Sequence, residues 1–204
     1  RRGLEGGDLV RVKSRQGAVV VKTLASDTVR PGQCFVPMHW GGNAMAGRLG
    51  INALTPSAFD PQSKQPELKH AAIQVEKFTT GHPVVAMRRI DPASENPYTV
   101  MAQIREKLPP LPYASLTLAG REVPVVMLQS RVDADEAELI ATIDAAFSLD
   151  DPSHALSYSD PRRDIGKRAR IEDDQLVAVR LVGETRAAEW LTQLMVVGAS
   201  AAPM

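Results

Sequence analysis

Three side chains between residues 37 and 69 have the chemistry to hold a nucleotide. Asn52 carries a donor and acceptors that suit the edge of a heteroaromatic base. Lys69 carries a point charge suited to phosphate. Trp40 precedes two glycines and offers a flat surface that backbone can approach closely. The set suits a nucleotide-like cofactor. A long surface loop packed on its own side chains, with Asn52 in a turn and Lys69 in solvent, explains the same residues equally well.

Other residues that could do chemistry are less suggestive. No Ser–His–Asp or Cys–His set is visible and the histidines lack metal-ligand spacing, so we expect neither a catalytic residue nor a metal site in this chain. Cys34 lies beside Phe35 in an apolar stretch, and we expect it to be a small core residue. The basic segment at 160–170 could contact phosphate. Acidic neighbours offset its charge, which favours a solvated loop and the outer face of a hairpin strand.

Composition excludes several classes of protein. The chain has 204 residues, with 24 Lys and Arg against 24 Asp and Glu, so no net field favours nucleic acid or an anionic membrane. No apolar run reaches the roughly 18 residues of a membrane helix. We therefore expect no nucleic-acid and no membrane partner. The opening "RRGLEGGDLVRV" lacks an initiator Met and enters almost directly into a strand, so we expect a fragment of a longer protein.

The first 80 residues read as β-structure. Gly17 is expected to supply a left-handed turn residue in a first hairpin, and Pro31-Gly32 to form a second turn. Alternating apolar residues predict strands over 8–14, 18–26, 33–39 and 70–78. Short strands joined by polar loops are typical of a small barrel.

From residue 81 onward the pattern is α+β. Apolar spacing and capping residues predict helices over 96–108, 133–147 and 184–198, with Asn96 and Asp133 as N-caps and Gly198 as a C-cap. A strand over 83–90 and two hairpins, turning at Gly120 and at Asp173-Asp174, complete the pattern. The change of character near residue 80 predicts a domain boundary there.

An ordered set of motifs in the first 80 residues resembles the C-terminal domain of molybdopterin oxidoreductases. The motifs are "GDLV", "RPG", "FVPMHW", "NALT" and "DPQSKQPELK", and together they span about residues 3–78. The resemblance implies a mixed fold, with a partial N-terminal double-psi β-barrel followed by a small α+β domain. It implies that Asn52 and Lys69 contact a pterin guanine dinucleotide, and that His39 and Trp40 reach toward the active-site funnel.

Among molybdopterin oxidoreductases, the sequence is most similar to prokaryotic assimilatory nitrate reductases. "HW" followed by "SKQPELKHAAIQVE" has their order, and residues 157–198 resemble the module that follows their barrel. The implied domains are 1–80, a molybdopterin-dinucleotide-binding barrel truncated at its N-terminus, and 81–204, the following α+β module.

The resemblance also implies a function for a longer parent protein. This would be a cytoplasmic enzyme reducing nitrate to nitrite with bis-molybdopterin guanine dinucleotide, its iron–sulfur cluster lying outside this chain. Reduced ferredoxin, flavodoxin or an NADH-dependent reductase subunit would donate electrons. Two alternatives stay open: another molybdopterin oxidoreductase, such as a formate dehydrogenase, and a free-standing binding module.

Overall fold

The fold consists of two compact units. The computed structural model describes residues 3–37, 41–42, 50–66, 70–79, 81–108, 111–133 and 137–200. Its chain divides into Arg1–Thr79 and Thr80–Met204. We call these the first and second units.

The first unit is built on a three-stranded antiparallel sheet. Its elements are β1 (Leu9–Lys13), β2 (Ala18–Lys22), a 3₁₀ helix (Gly50–Leu54) and β3 (Gln74–Lys77), and the strand order is β2-β1-β3. The 3₁₀ helix buries two side chains against valines of the β1–β2 hairpin. Over the described residues this sheet stays open and does not close into a barrel.

The first hairpin is confirmed, but the predicted reason for its turn is wrong. Gly17 does not lie in the left-handed region. Instead, the Ser14 hydroxyl accepts hydrogen bonds from the N–H groups of Gln16 and Gly17, at 3.0 and 3.4 Å. The Ser14 N–H also donates to the Gly17 carbonyl at 2.8 Å. The serine side chain therefore stabilises this turn.

The strand predicted over 33–39 is wrong for residues 33–37, which are irregular; 38 and 39 lie outside the described residues. The turn before it is present, because Gly32 has φ 87° and the Gln33 N–H donates to the Arg30 carbonyl. Beyond that turn the segment pairs with no strand in the described part of the chain, and Phe35 is 77% exposed. An apolar run without a ladder partner does not form a strand.

The second unit is a six-stranded antiparallel sheet with helices on both faces. Its strands run in the order β5-β6-β4-β9-β8-β7. Helices α1 and α2 pack on one face and α3 on the other. The elements are β4 (His82–Arg89), α1 (Pro97–Lys107), β5 (Ala114–Ala119), β6 (Val125–Val132), α2 (Ala137–Ala146), β7 (Ala155–Asp160), β8 (Ile165–Glu172), β9 (Gln175–Val182) and α3 (Ala188–Val197).

Most predicted elements of this unit are confirmed, with ends shifted by a few residues. The Asn96 side chain accepts hydrogen bonds from the first turn of α1, and Gly198 ends α3 with φ 66°. Asp173 and Asp174 both have positive φ, as a tight hairpin turn between β8 and β9 requires. The predicted cap Asp133 precedes residues outside the described set. Strand β7 was not predicted, because an edge strand with mostly exposed residues lacks a buried apolar face.

A buried ion cluster connects α2 to the sheet. Asp144 of α2 accepts from Arg180 Nε at 2.6 Å and Nη2 at 3.2 Å, and from Arg168 Nη1 at 3.2 Å. Only 5% of the Asp144 side chain is exposed. The prediction that the basic segment is solvated is therefore wrong for Arg168. Its place in β8, opposite Arg180, turns it toward α2.

We predict that Asp144→Ala destabilises the second unit by about 3–5 kcal/mol, because it leaves two guanidinium groups with no carboxylate in a poorly hydrated site. The control is Glu138→Ala, which removes an exposed carboxylate from the same helix. All three described α-helices lie in this unit, so equilibrium urea unfolding followed by the helical circular-dichroism signal reports on it. Equal losses in the two variants would contradict the role assigned to the cluster.

Candidate functional site

The 3₁₀ helix presents Asn52 to solvent. Ile51 and Leu54 are three residues apart, so they share one side of a helix with three residues per turn, and both are buried. Asn52 lies on another side and is exposed. Its carbonyl accepts from the N–H and hydroxyl of Thr55, at 3.2 and 3.0 Å. The sequence "NALT" thus closes a short helix with its amide outward.

The side-chain amide of Asn52 is available for a ligand. It makes no hydrogen bond to another residue in the described part of the chain. Both its N–H donors and its carbonyl acceptor can therefore pair with a heteroaromatic edge or another polar ligand. The structure thus supports the presentation expected for this residue, and contact with a cofactor stays a prediction.

The position of the 3₁₀ helix depends on Gly17. A Cβ atom at Gly17 would lie 2.9 Å from the Ala53 carbonyl oxygen and 3.6 Å from the Ala53 side chain. The hairpin turn can approach the helix backbone only because no side chain stands there. This role could not be predicted from the sequence, because the contact is tertiary and glycine in a hairpin already has a local explanation.

The segment after the 3₁₀ helix is ordered by a carboxylate. Asp60 Oδ1 accepts from the N–H groups of Gln62 and Ser63, at 3.0 and 2.6 Å. Backbone bonds from Lys64 N–H to Asp60 and from Asp60 N–H to Gln65 close the turn. The hydrogen bonds from Ser63 first, then from Gln62, hold the pKa of Asp60 below its usual range. The "DPQS" motif therefore encodes a defined turn.

The other predicted cofactor residues lie outside the described residues. These are Lys69, His39 and Trp40, and the structure tests none of them. Cys34 is described and is exposed, so the prediction of a core residue is wrong. Within the described part of the chain, no strand pairs with the segment 33–37 to bury it.

Within the described ranges, no group of three or more His, Cys, Asp or Glu side chains could hold a metal ion. No helix there combines the length and the apolar character needed to cross a membrane.

Comparison with protein families assigns a class to this part of the chain. Residues 1–72 match the family described as "Molydopterin dinucleotide binding domain". The matched range contains the β1–β2 hairpin, the 3₁₀ helix and the Asp60 turn. It confirms the resemblance to molybdopterin oxidoreductases that the ordered motifs carry.

The curated relatives point to nitrate reductases and formate dehydrogenases. A nitrate reductase of Klebsiella oxytoca is 44% identical over 69 residues, which are 34% of this chain and 8% of that protein. The assimilatory nitrate reductase catalytic subunit of Bacillus subtilis is 32% identical over 72 residues, 35% of this chain and 9% of that protein. The F420-dependent formate dehydrogenase subunit alpha of Methanocaldococcus jannaschii is 35% identical over 75 residues, 37% of this chain and 10% of that protein.

The chain thus aligns with about a tenth of the length of these relatives. No solved structure matches it.

We predict that Gly17→Ala destabilises the first unit by about 1–3 kcal/mol, because the new methyl group must displace the Ala53 carbonyl. Hydrogen exchange of the β1 and β2 amides measures the loss. Gly6→Ala is the control, since its Cβ would come no nearer than 3.9 Å to another residue. Unchanged exchange in Gly17→Ala would show that the close approach is not required.

We predict that the Asp60 turn persists at acidic pH. A folded-state pKa below the unfolded value of about 3.9 stabilises the turn above that value, and the stabilisation is lost as pH falls through the lower, folded pKa. The amide shifts of Gln62 and Ser63, followed by NMR, should therefore titrate below the usual range of aspartate. In Asp60→Asn they should not titrate there. A midpoint at the ordinary aspartate value would contradict this account.

Proposed function

We propose that this chain is the C-terminal part of a molybdenum-dependent nitrate reductase. Its first unit would bind one molybdopterin guanine dinucleotide. The observation that carries the proposal is the family match over residues 1–72, in which the 3₁₀ helix presents the amide of Asn52. In this proposal strands β1, β2 and β3 of the first unit are part of a double-psi β-barrel.

Each proposed cofactor residue has a distinct task. Asn52 would hydrogen-bond the heteroaromatic part of the dinucleotide, and Lys69 would neutralise phosphate charge. His39 and Trp40 would lie toward the substrate funnel. The bound cofactor supplies oxygen-atom transfer, by which nitrate, two protons and two electrons give nitrite and water. In this proposal the residues of this chain position the cofactor.

The remaining parts of the proposal concern the longer protein. Residues 81–204 would be the module that follows the barrel in assimilatory nitrate reductases. An iron–sulfur cluster outside this chain would receive electrons from reduced ferredoxin, flavodoxin or an NADH-dependent reductase subunit. The enzyme would act in the cytoplasm.

Formate oxidation is the second candidate function. Formate dehydrogenase subunits of Methanococcus maripaludis are 39% and 36% identical to this chain over 76 residues. These identities lie between those of the two nitrate reductases, 44% and 32%. Similarity over the cofactor-binding unit therefore does not distinguish nitrate from formate as the substrate. Nitrate reduction consumes electrons, and formate oxidation releases them. A chemical electron donor therefore assays the first function, and a chemical electron acceptor assays the second.

We predict that Asn52→Ala and Lys69→Ala in the longer enzyme lower both bound molybdenum and nitrate reduction with a chemical electron donor. Losing one hydrogen bond to a charged or polar cofactor group weakens binding by about tenfold. Gln62→Ala, an exposed polar residue of the same loop, is the control and should keep both.

Full molybdenum and full activity in both variants would contradict the cofactor role. Formate oxidation without nitrate reduction in the wild-type enzyme would select the second candidate.

A further inference from the structure

The second unit contains a cavity of about 390 Å³ beside helix α2. Its floor is the part of β7, β8 and β9 that α2 leaves uncovered. In this floor, Ser157, Arg168 and Arg180 lie directly opposite one another on the three strands. The volume falls in the range of small-molecule sites.

The floor of the cavity carries an uncompensated positive charge. Two guanidinium groups, Arg168 and Arg180, share the single carboxylate of Asp144. The Arg168 side chain is 20% exposed and that of Arg180 is 10% exposed, so water screens them weakly. Lys167, which also lines the cavity, is paired with Glu184 at 2.9 Å. A buried excess of one cation is unfavourable unless an anion joins it.

One donor of this cluster lacks an acceptor. The Nε atom of Arg168 is buried and makes no hydrogen bond to any described residue. Its Nη1 atom donates to Asp144, so the guanidinium is held in place while Nε stays unpaired. Arginine presents its donors as a planar fork that matches the two oxygens of a carboxylate or phosphate.

Small residues keep the space over Arg168 open. Gly166 and Ser159 lie opposite each other, two residues along β8 and β7 from the Arg168–Ser157 pair. A Cβ atom at Gly166 would lie 3.4 Å from Arg180 Nη1, so the missing side chain leaves room for that guanidinium. The serines add only hydroxyl groups that can donate to an anion.

Acidic residues line the same cavity but lie at its far end. Asp160 and Asp164 flank the β7–β8 turn, and Asp164 approaches His82 at 3.9 Å. Asp164 precedes β8, and the three steps of extended strand from Ile165 to Arg168 span about 10 Å. Asp133 also lines the cavity. The cavity therefore has a basic end at Arg168 and an acidic end at the turn.

We infer that this cavity binds a small organic anion whose carboxylate or phosphate group pairs with Arg168 and the Ser157 hydroxyl. The oxyanion balances the second guanidinium charge at the exposed part of the Arg168 side chain. The apolar side chains of Ile140 and Val182 contact the rest of the molecule. This site is separate from the cofactor function proposed for the first unit and does not depend on it.

NMR of the full 204-residue chain tests the inference. Acetate and inorganic phosphate are the probes, with chloride at equal ionic strength as the reference. We expect saturable shifts of the Arg168 Nε–H and of the Ser157 and Gly166 amides. Tighter binding of acetate would indicate a carboxylate ligand, and tighter binding of phosphate would indicate a phosphate ligand. Shifts no larger than those with chloride would overturn the inference.

Two variants and a control make the test specific. Arg168→Gln should weaken the tighter probe by about tenfold or more, since hydrogen bonds to charged groups are the strong ones. Arg162→Gln removes an exposed charge outside the cavity and should leave binding unchanged. Equal weakening in the two variants would overturn the inference.

If Arg168→Gln fails to fold, Ser157→Asp tests whether the anion binds in this cavity. Ser157 is exposed on an edge strand, so the fold tolerates the change, and the new carboxylate would occupy the site itself. Undiminished probe binding in this variant would overturn the inference.

Discussion

The close approach of Gly17 to the Ala53 carbonyl is the constraint on which the candidate cofactor surface depends. With no Cβ at this position, the hairpin turn and the 3₁₀ helix come within van der Waals contact. Ile51 and Leu54 are then buried on the valines of the hairpin, and Asn52 has to face outward. A single small residue in one element thus orients a polar side chain in another. The cofactor chemistry proposed for Asn52 rests on this packing.

The sequence predicted those features of the first unit that have a local cause. Alternating residues gave the β1–β2 hairpin, and Pro31-Gly32 gave a turn. The packing of Gly17 on Ala53 could not be predicted, because it joins segments distant in sequence. The strand expected over 33–39 is absent over its described part, 33–37, because strand formation needs a partner that the local pattern does not reveal. Asn52 was found through its motif, and the structure explains the motif: Ile51, Leu54 and Thr55 fix the helix that exposes it.

The second unit shows the same division between local and tertiary causes. Capping residues and apolar spacing predicted its helices, and Asn96 and Gly198 act as expected. The charges of the basic segment nearly cancel along the chain, and this pattern predicts a solvated surface. In the fold, Arg168 pairs with Asp144 of α2 instead of its sequence neighbours. This long-range pairing leaves the buried Nε of Arg168 without a described acceptor and creates the basic end of the cavity.

The most direct measurement is a high-resolution structure of the longer, cofactor-loaded enzyme. We predict that the Asn52 side-chain amide lies within hydrogen-bond distance, about 2.7–3.2 Å, of the dinucleotide. We also predict that the hairpin and 3₁₀ helix keep the arrangement described here. A cofactor bound away from the 3₁₀ helix, with Asn52 facing solvent or protein alone, would contradict the cofactor role proposed for Asn52.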